Sequence, residues 1–336
     1  MSCTIKDVAR HANVSIATVS RIINNQVGYS EKTKKKVLDA IEELGYQPNA
    51  VARGLISKRT HTIGVLFPKL SSTLVTDLLS GIEKATHEAG SSVIVCHTES
   101  NGEKTMKYLK LLNEKRIDGI IFTSAPLLGE YYDYIKKMNV PMVLLSTETY
   151  AYPVPYVKVN DRHAAYTAAQ FLINKGHKKI GMLCGNIEDA ISGKPRFDGF
   201  KSALQDHSIP FDNSHVVFNR GFTFSDGMDG LRTLLQQVPD LTAVFAASDE
   251  MAMGAISSAY ELGIKVPDDL SIIGYDNLSI ANMSIPPLTT VAQPLTEMGE
   301  MAAKMLFELL DSEKTVESRI MPHKIVERKS VIAKEG

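Results

Sequence analysis

The stretch TIKDVARHANVSIATVSRIINN, Thr4 to Asn25, constrains this chain most, because it reads as two short helices and a tight turn, a unit too small to stand alone. Thr4 begins the first helix, with Asp7 three residues on at capping-box spacing. Ile5, Val8, Ala9 and Ala12 recur at helical spacing and give that helix one apolar face. Asn13 tolerates the left-handed conformation that stops it, Val14 plugs the corner, and Ser15 caps the second helix. There Val19, Ile22 and Ile23 point inward, leaving Ile16, Ala17, Ser20 and Arg21 on the open side. A helix with small groups and one arginine on its outer N-terminal face is shaped to enter a DNA major groove. Ser30 caps a third helix, EKTKKKVLDAIEELG, in which Val37, Ile41 and Leu44 close the little core and Gly45 ends the run. The plainer reading is a three-helix surface lobe with Arg21 solvated, which amphipathic helices alone do not exclude.

Order and spacing exclude most of that plainer reading. D-V-A, N-V-S, T-V-S-R-I-I-N and the run E-L-G-Y-x-P-N-A-V-A-R-G-L from Glu43 to Leu55 agree in one register, and the chain resembles the LacI/GalR family of bacterial repressors over nearly its whole length. The resemblance implies a helix-turn-helix DNA-binding headpiece at 1–46, a hinge helix and linker at 47–60, and an effector-binding, dimerising body at 61–336. Expected DNA contacts are Thr4, Lys6, Ser15, Ile16, Ala17, Thr18, Ser20, Arg21 and Asn24 in the headpiece, and Asn49, Ala52 and Leu55 in the hinge. Asn49 can cap the hinge segment, but roughly ten residues containing Gly54 make a marginal helix in water. In the family that helix folds when two copies lie in the minor groove, and the residue at the position of Leu55 wedges between base pairs. Ordinary packing of Leu55 against the body is the alternative.

A formal net charge of −1 conceals an uneven distribution. Residues 1–60 hold ten Lys or Arg against five Asp or Glu, a net of +5, and the remainder carries −6. A basic head on an acidic body suits a polyanion bound at one end. Lys32, Lys34, Lys35 and Lys36 alone would read as a solvated face. Cys3, Cys96 and Cys184 are odd in number and far apart, with neither a metal-ligand spacing nor a disulfide framework, which fits a reducing cytoplasm. No cationic leader precedes an apolar run, and no apolar stretch approaches the ~20 residues of a membrane helix, so a cytoplasmic protein without membrane contact is expected.

Beyond Thr60 the apolar period changes. THTIGVLFP, SSVIVCH, IDGIIFT and PMVLLS read as buried parallel strands, separated by the helical stretches TLVTDLLSGIEKATHEAG, EKTMKYLKLLNEKR and LLGEYYDYIKKMN. After the extended VPYVKVND a second series follows, with strands KKIGMLC, HVVF, TAVFAA and LSIIGYD between amphipathic helices. The fold class is therefore α/β: two doubly wound parallel sheets in tandem, a bilobed body with ligand room beyond the carboxyl ends of the strands. By the resemblance the body is periplasmic-binding-protein-like and its lobes are cross-connected, lobe 1 at about 61–160 and 292–319, lobe 2 at about 161–291 and 320–336. TEMGEMAAKMLFELLD should return to the first lobe, and the tail IMPHKIVERKSV should add strand to the second.

Expected effector residues are Ser72, Leu74, Ser124, Asn160, Arg196, Asp249 and Asp276. In the resembled family the arginine of G-K-P-R-F-D-G-F and the aspartate of G-Y-D-N hydrogen-bond the effector. A charged donor and acceptor in a closing cleft suit a hydroxyl-bearing molecule such as a sugar. The alternatives are that Arg196 and Asp276 only pair with each other, that Asp249 only caps its helix, and that Asp161, beside Asn160, caps another. Where the family commonly carries an aromatic pair after the first strand, this chain has Ser71 to Val75, which weakens stacking on a sugar face there. No G-x-G-x-x-G follows a strand, and neither a Walker loop nor H-E-x-x-H occurs, so no enzyme, cofactor or metal is expected. His177, in a helix-to-strand turn, reads as structural. The expectation is a sequence-specific transcriptional regulator, a repressor of carbohydrate-utilisation genes acting as a homodimer on double-stranded operator DNA under a small-molecule effector. The alternative is a cytoplasmic sugar-binding protein without a DNA role.

Overall fold

The computed structural model describes residues 3–23, 27–46, 59–70, 73–99, 104–311 and 315–334. The chain divides into two compact units, Met1–His61 and Thr62–Gly336.

In the first unit, helices α1 (Ile5–His11), α2 (Ile16–Ile23) and α3 (Glu31–Glu43) enclose a core of Val8, Ala9, Ala12, Val19, Ile22, Val37 and Ala40. Their ends follow local chemistry. The Thr4 backbone N–H and hydroxyl both donate to Asp7 Oδ2, at 3.0 and 2.6 Å, so the aspartate reaches back as its spacing predicts. Asn13 sits at φ 51°, and the Ser15 hydroxyl accepts from the Thr18 N–H at 3.1 Å. Ser30 caps α3 through the Thr33 N–H at 3.2 Å, and Gly45 closes it at φ 59°. Asn24, Asn49, Ala52 and Leu55, and with them the expected hinge helix, lie outside the described residues.

The second unit holds two six-stranded sheets. The first contains β1 (Thr62–Phe67), β2 (Ser92–His97), β3 (Gly119–Thr123), β4 (Met142–Leu145), β5 (Tyr156–Val159) and β11 (Arg319–Met321), in the order β11-β5-β4-β3-β1-β2 and parallel throughout. Its helices are α4 (Thr73–Glu88), α5 (Thr105–Glu114), α6 (Gly129–Met138) and α12 (Leu295–Asp311). The second contains β6 (Ile180–Cys184), β7 (Val216–Phe218), β8 (Ala243–Ala246), β9 (Ser271–Asp276), β10 (Thr289–Ala292) and β12 (Lys324–Val326), in the order β12-β10-β9-β8-β6-β7. Only β12 runs antiparallel, against β10. Around it lie α7 (Asp161–Asn174), α8 (Gly193–Asp206), α9 (Phe224–Gln237), α10 (Asp249–Glu261) and the short α11 (Ser279–Met283). The inner strands β1, β3, β4, β6, β8 and β9 are buried on both faces, the condition that makes them mostly apolar runs.

The expected return of TEMGEMAAKMLFELLD to the first lobe is what the structure shows: α12 lies against α4 and strands β3 to β5. The tail is a correction. Only Lys324–Val326 joins the second sheet, because Arg319–Met321 first adds a parallel edge strand to β5, so the last crossing falls at Pro322 and His323. Strand β10 was not anticipated from the sequence. Its Thr289 and Thr290 are polar yet fully buried, and the run PPLTTV carries no alternation.

Helices α4 and α12 meet at glycine. A Cβ on Gly81 would stand 1.9 Å from the Thr296 carbonyl oxygen, and one on Gly299 2.1 Å from that of Leu78. Only hydrogen at both positions lets these backbones touch, and that contact fixes the returning helix against the first sheet.

Candidate functional site

The headpiece presents α2 as its open face. Ile16, Ala17 and Arg21 are exposed, Ile16 to 44%, while Val19 and Ile22 are buried beneath them. Ser15 and Thr18 are joined hydroxyl to hydroxyl at 2.9 Å, which holds both at the start of the helix. Lys6 is exposed on α1, and Thr4 heads the same helix. Arg21 Nη1 lies 3.9 Å from where a Cβ on Gly28 would stand, an ordinary van der Waals distance. A fork-shaped donor in the last turn of α2, with small apolar groups at its start, matches base edges and phosphates.

In the body, a cleft of about 490 Å³ opens at the carboxyl ends of both sheets, the position where open α/β sheets receive ligands. The first lobe contributes Phe67, Pro68, Lys69, Leu74, Val75 and Ser124, and the second Arg196, Arg220, Phe222, Glu250 and Asp276 among others. Leu74, Ser124, Arg196 and Asp276 are thus brought together as the sequence suggests, and Ser72 lies outside the described residues. Ser124 and Asp276 have φ of 47° and 116°, a strained backbone at the ends of β3 and β9 that turns the chain out of the sheet and into the cleft wall.

Two expected residues are corrected. Asp249 is fully buried and outside the cleft, since its carboxylate accepts from the Leu278 N–H at 2.7 Å and the Thr290 hydroxyl at 2.5 Å. It ties α10 to β10 and to the turn after β9, and Ser248 is the cap of α10. Asn160 is the N-cap of α7, accepting from the His163 N–H at 3.0 Å, and is not among the cleft-lining residues.

Arg196 is buried and pairs with Asp161, its Nε and Nη2 each 2.9 Å from Oδ1, while Nη1 donates to the Ala247 carbonyl at 2.6 Å. The guanidinium lies 3.7 Å over the Tyr275 ring, whose hydroxyl donates to the same Asp161 oxygen at 3.1 Å. Burial opposes the charge on Arg196, but Tyr275 and Asp161 outweigh it and hold the group firmly protonated. Lys158 on β5, also buried, reaches Glu148 at 2.8 Å and Asp161 at 3.7 Å, so the charge network runs from the first lobe into the second. Asp276 accepts from Gln293 Nε2 at 2.7 Å, and burial raises its carboxyl well above the usual range against the pull of Arg196. Arg196 and Asp276 therefore do not simply pair with each other.

The sequence reading missed Phe67, Lys69, Arg220 and Phe222. Phe222 supplies an aromatic wall from the second lobe, with Arg196 5.6 Å from its ring centroid, where the first lobe lacks the expected pair. Lys69 lies just beyond β1, and Arg220 and Phe222 just beyond β7; scanning loops at the carboxyl ends of strands would have found all three. His177 is buried, with Nε2 3.1 Å from the Ile332 carbonyl and Nδ1 3.0 Å from the Thr242 hydroxyl, and it is not among the cleft-lining residues. Among the described residues no cluster of His, Cys, Asp and Glu could hold a metal ion, and no helix is long and apolar enough to cross a membrane.

A groove-sized helix on one unit and a two-lobed ligand cleft on the other define the class of ligand-responsive DNA-binding regulators. The description "Bacterial regulatory proteins, lacI family" matches residues 4–49, and "Periplasmic binding protein-like domain" matches 169–331. The chain is 39% identical to catabolite control protein A of Priestia megaterium over 98% of its own length and 99% of that protein's. Among solved structures it is similar to the Lac repressor dimer bound to operator and the anti-inducer ONPF (TM-score 0.89, 28% identity, 99% of this chain and 100% of that one) and to the transcriptional regulator CelR–cellobiose complex (TM-score 0.75, 28% identity, 98% and 99%). The chain belongs to the lacI family of bacterial regulatory proteins, and it is a sequence-specific DNA-binding transcriptional regulator.

Proposed function

We propose that the protein is a homodimeric, cytoplasmic repressor of carbohydrate-utilisation genes whose affinity for double-stranded operator DNA is set by a small hydroxyl-bearing effector in the cleft. The observation that carries this reading is the cleft itself, walled by both lobes and holding a buried arginine, a buried carboxyl and an aromatic ring. A ligand touching both walls favours one lobe angle over the other, the differential affinity that regulation requires. CelR and an Enterococcus faecium relative are described with cellobiose and with ribose bound, which supports a sugar or sugar derivative here. The relatives are regulators, and the reading assigns the chain binding without turnover.

The boundaries follow the same reading: headpiece to residue 46, hinge 47–60, body from 61. Lys6, Ser15, Ile16, Ala17, Thr18, Ser20 and Arg21 meet DNA. For assembly, Met283 and Ile285 are 75% and 90% exposed beside each other at the end of α11, apolar area that a second copy would cover. Selection of genomic fragments by the full-length protein, followed by gel shift, tests the proposal. A near-palindromic site upstream of sugar-utilisation genes is expected, released or tightened by one sugar; enrichment of no defined sequence would refute it.

A further inference from the structure

Two histidines meet where the chain passes between the lobes. Among the described residues the crossings fall at Asn160, between β5 and α7, at Gln293 and Pro294, between β10 and α12, and at Pro322 and His323, between β11 and β12. His323, on the last crossing, touches the element that follows the first: its ring stands edge-on to that of His163, in the first turn of α7, with centroids 5.1 Å apart and planes at 78°. The Thr167 hydroxyl joins the two. Its single hydrogen goes to the His163 carbonyl at 2.9 Å, so it accepts the Nε2 hydrogen of His323 at 3.0 Å. The neutral His323 ring therefore carries its proton on Nε2, and a second proton has to enter at Nδ1. His323 also shares the wall of a second cavity, of about 570 Å³, with Gln293 and Pro294 of the remaining crossing.

We infer that His163 and His323 form a proton-sensitive clasp on the interlobe crossings, which holds the last crossing against α7 while the rings are neutral and releases it when both are charged. A change of lobe angle has to be absorbed at the crossings, so a clasp between two of them biases that angle whatever occupies the cleft. Neutral rings keep the edge-to-face contact and the Thr167 bond. Doubly protonated, they become two like charges in contact, which mild acid suffices to produce for histidine. The surrounding charges do not cancel that repulsion. Asp161, at the start of the same helix, is already held by Arg196, Tyr275 and Lys158. On the cavity side Asp77 of α4 and Glu297 of α12 favour a charged His323 and Lys324 opposes it, and Tyr166 stacks on His163. Both of those carboxylates belong to the first lobe, so a charged His323 exchanges its contact with α7 for attraction to the other side. Burial first, then His163, depress the His323 pKa against the pull of Asp161. The stability of the clasp is thus present above the unfolded histidine value, about 6.5, and is lost as pH falls below it.

The test compares the full-length protein with His163→Gln, His323→Gln and the double variant, without any ligand, at about pH 8 and about pH 5.5, on either side of the histidine range. Lobe separation is read as the distance between spin labels on exposed positions of the two lobes, Lys137→Cys on α6 and Gln236→Cys on α9, in a Cys3→Ser background, since Cys96 and Cys184 are buried. The distance distribution of the protein with both histidines should shift on acidification, and neither single variant should show that shift. Urea midpoints supply a second reading that does not depend on the labels. At the lower pH His163→Gln should raise the midpoint, because one of two like charges is gone, and it should do nothing in the His323→Gln background. At the higher pH the same substitution should not raise it. A pair with a merely structural role would give the same coupling at both pH values, and that result overturns the clasp. So does an interlobe distance that ignores pH, or a shift that persists in both single variants.

Discussion

Arg196 Nε donates to Asp161 Oδ1 at 2.9 Å, joining the first turn of α8 to the first turn of α7 beneath the cleft. Both side chains are buried, so removing one partner leaves a charge without compensation. Asp161→Asn should cost about 3–5 kcal/mol in urea unfolding of the full-length protein. Adding Arg196→Met to that variant should recover part of the loss, because the stranded charge disappears with it. A single-variant loss below about 1 kcal/mol would show that water reaches the pair and that it behaves as a surface bridge.

That pairing also marks where the sequence stops being legible. Caps and stops such as Ser15, Asn13, Ser30 and Gly45 depend on neighbours within a few residues, and the sequence states them outright. Buried strands announce themselves by their apolar runs. Asp161 and Arg196 are 35 residues apart, and nothing local distinguishes Asp161 from an ordinary helix cap. Asp249 illustrates the same limit: a carboxylate at a strand end looked like a ligand group, but Thr290, 41 residues on, and the Leu278 N–H claim it. Lys69, Arg220 and Phe222 stand in loops without periodicity, where only the rule about strand ends offered a signal.

The contact of α4 with α12 gives a prediction about packing. Gly299→Ala places a methyl group 2.1 Å from the Leu78 carbonyl oxygen, a backbone atom that cannot move without shifting its helix. Overpacking of this kind costs about 1–3 kcal/mol, more than the small gain in helix propensity from Gly to Ala. Chemical denaturation should show the loss for Gly299→Ala and for Gly81→Ala. A neutral or stabilising result at both would mean that the two helices are not in backbone contact.

His177 predicts a pH dependence. Burial first, and Lys334 nearby, hold its imidazole below the usual histidine pKa, against the pull of the Ile332 carbonyl that accepts its Nε2 hydrogen. A depressed folded-state pKa contributes stability that is present above the unfolded value, about 6.5, and is lost as pH falls below it. Wild type should therefore lose more stability on acidification through that range than His177→Gln, measured as denaturation midpoints across the pH series. Parallel pH profiles for the two proteins would count against a neutral buried imidazole.

At the headpiece, Arg21 is the exposed fork on the second helix and Ile16 and Ala17 are its apolar neighbours. If the guanidinium reads a guanine edge, Arg21→Ala should cost about 1–3 kcal/mol at the cognate operator and much less on random DNA. Equal losses on the two, titrated by fluorescence anisotropy at one salt concentration, would reassign Arg21 to a phosphate.

Asp276 offers the sharpest separation of DNA binding from its control. Its carboxyl faces the cleft, accepts from Gln293 and feels the Arg196 charge, yet it belongs to the ligand-binding body and not to the DNA-binding unit. A ligand shifts an equilibrium only by its unequal affinity for the two lobe arrangements, so a residue that acts through the ligand has no influence when the ligand is absent. Asp276→Asn keeps the size and the bond from Gln293 through its amide oxygen, while removing the charged acceptor. Operator affinity of this variant without effector should stay near wild type, and the response to effector should disappear, whether that response is release or tightening. The two readings are taken from one titration of labelled operator, with and without the sugar that shifts wild type. Loss of operator binding by a folded, dimeric Asp276→Asn protein would make Asp276 a structural group and remove it from the effector site.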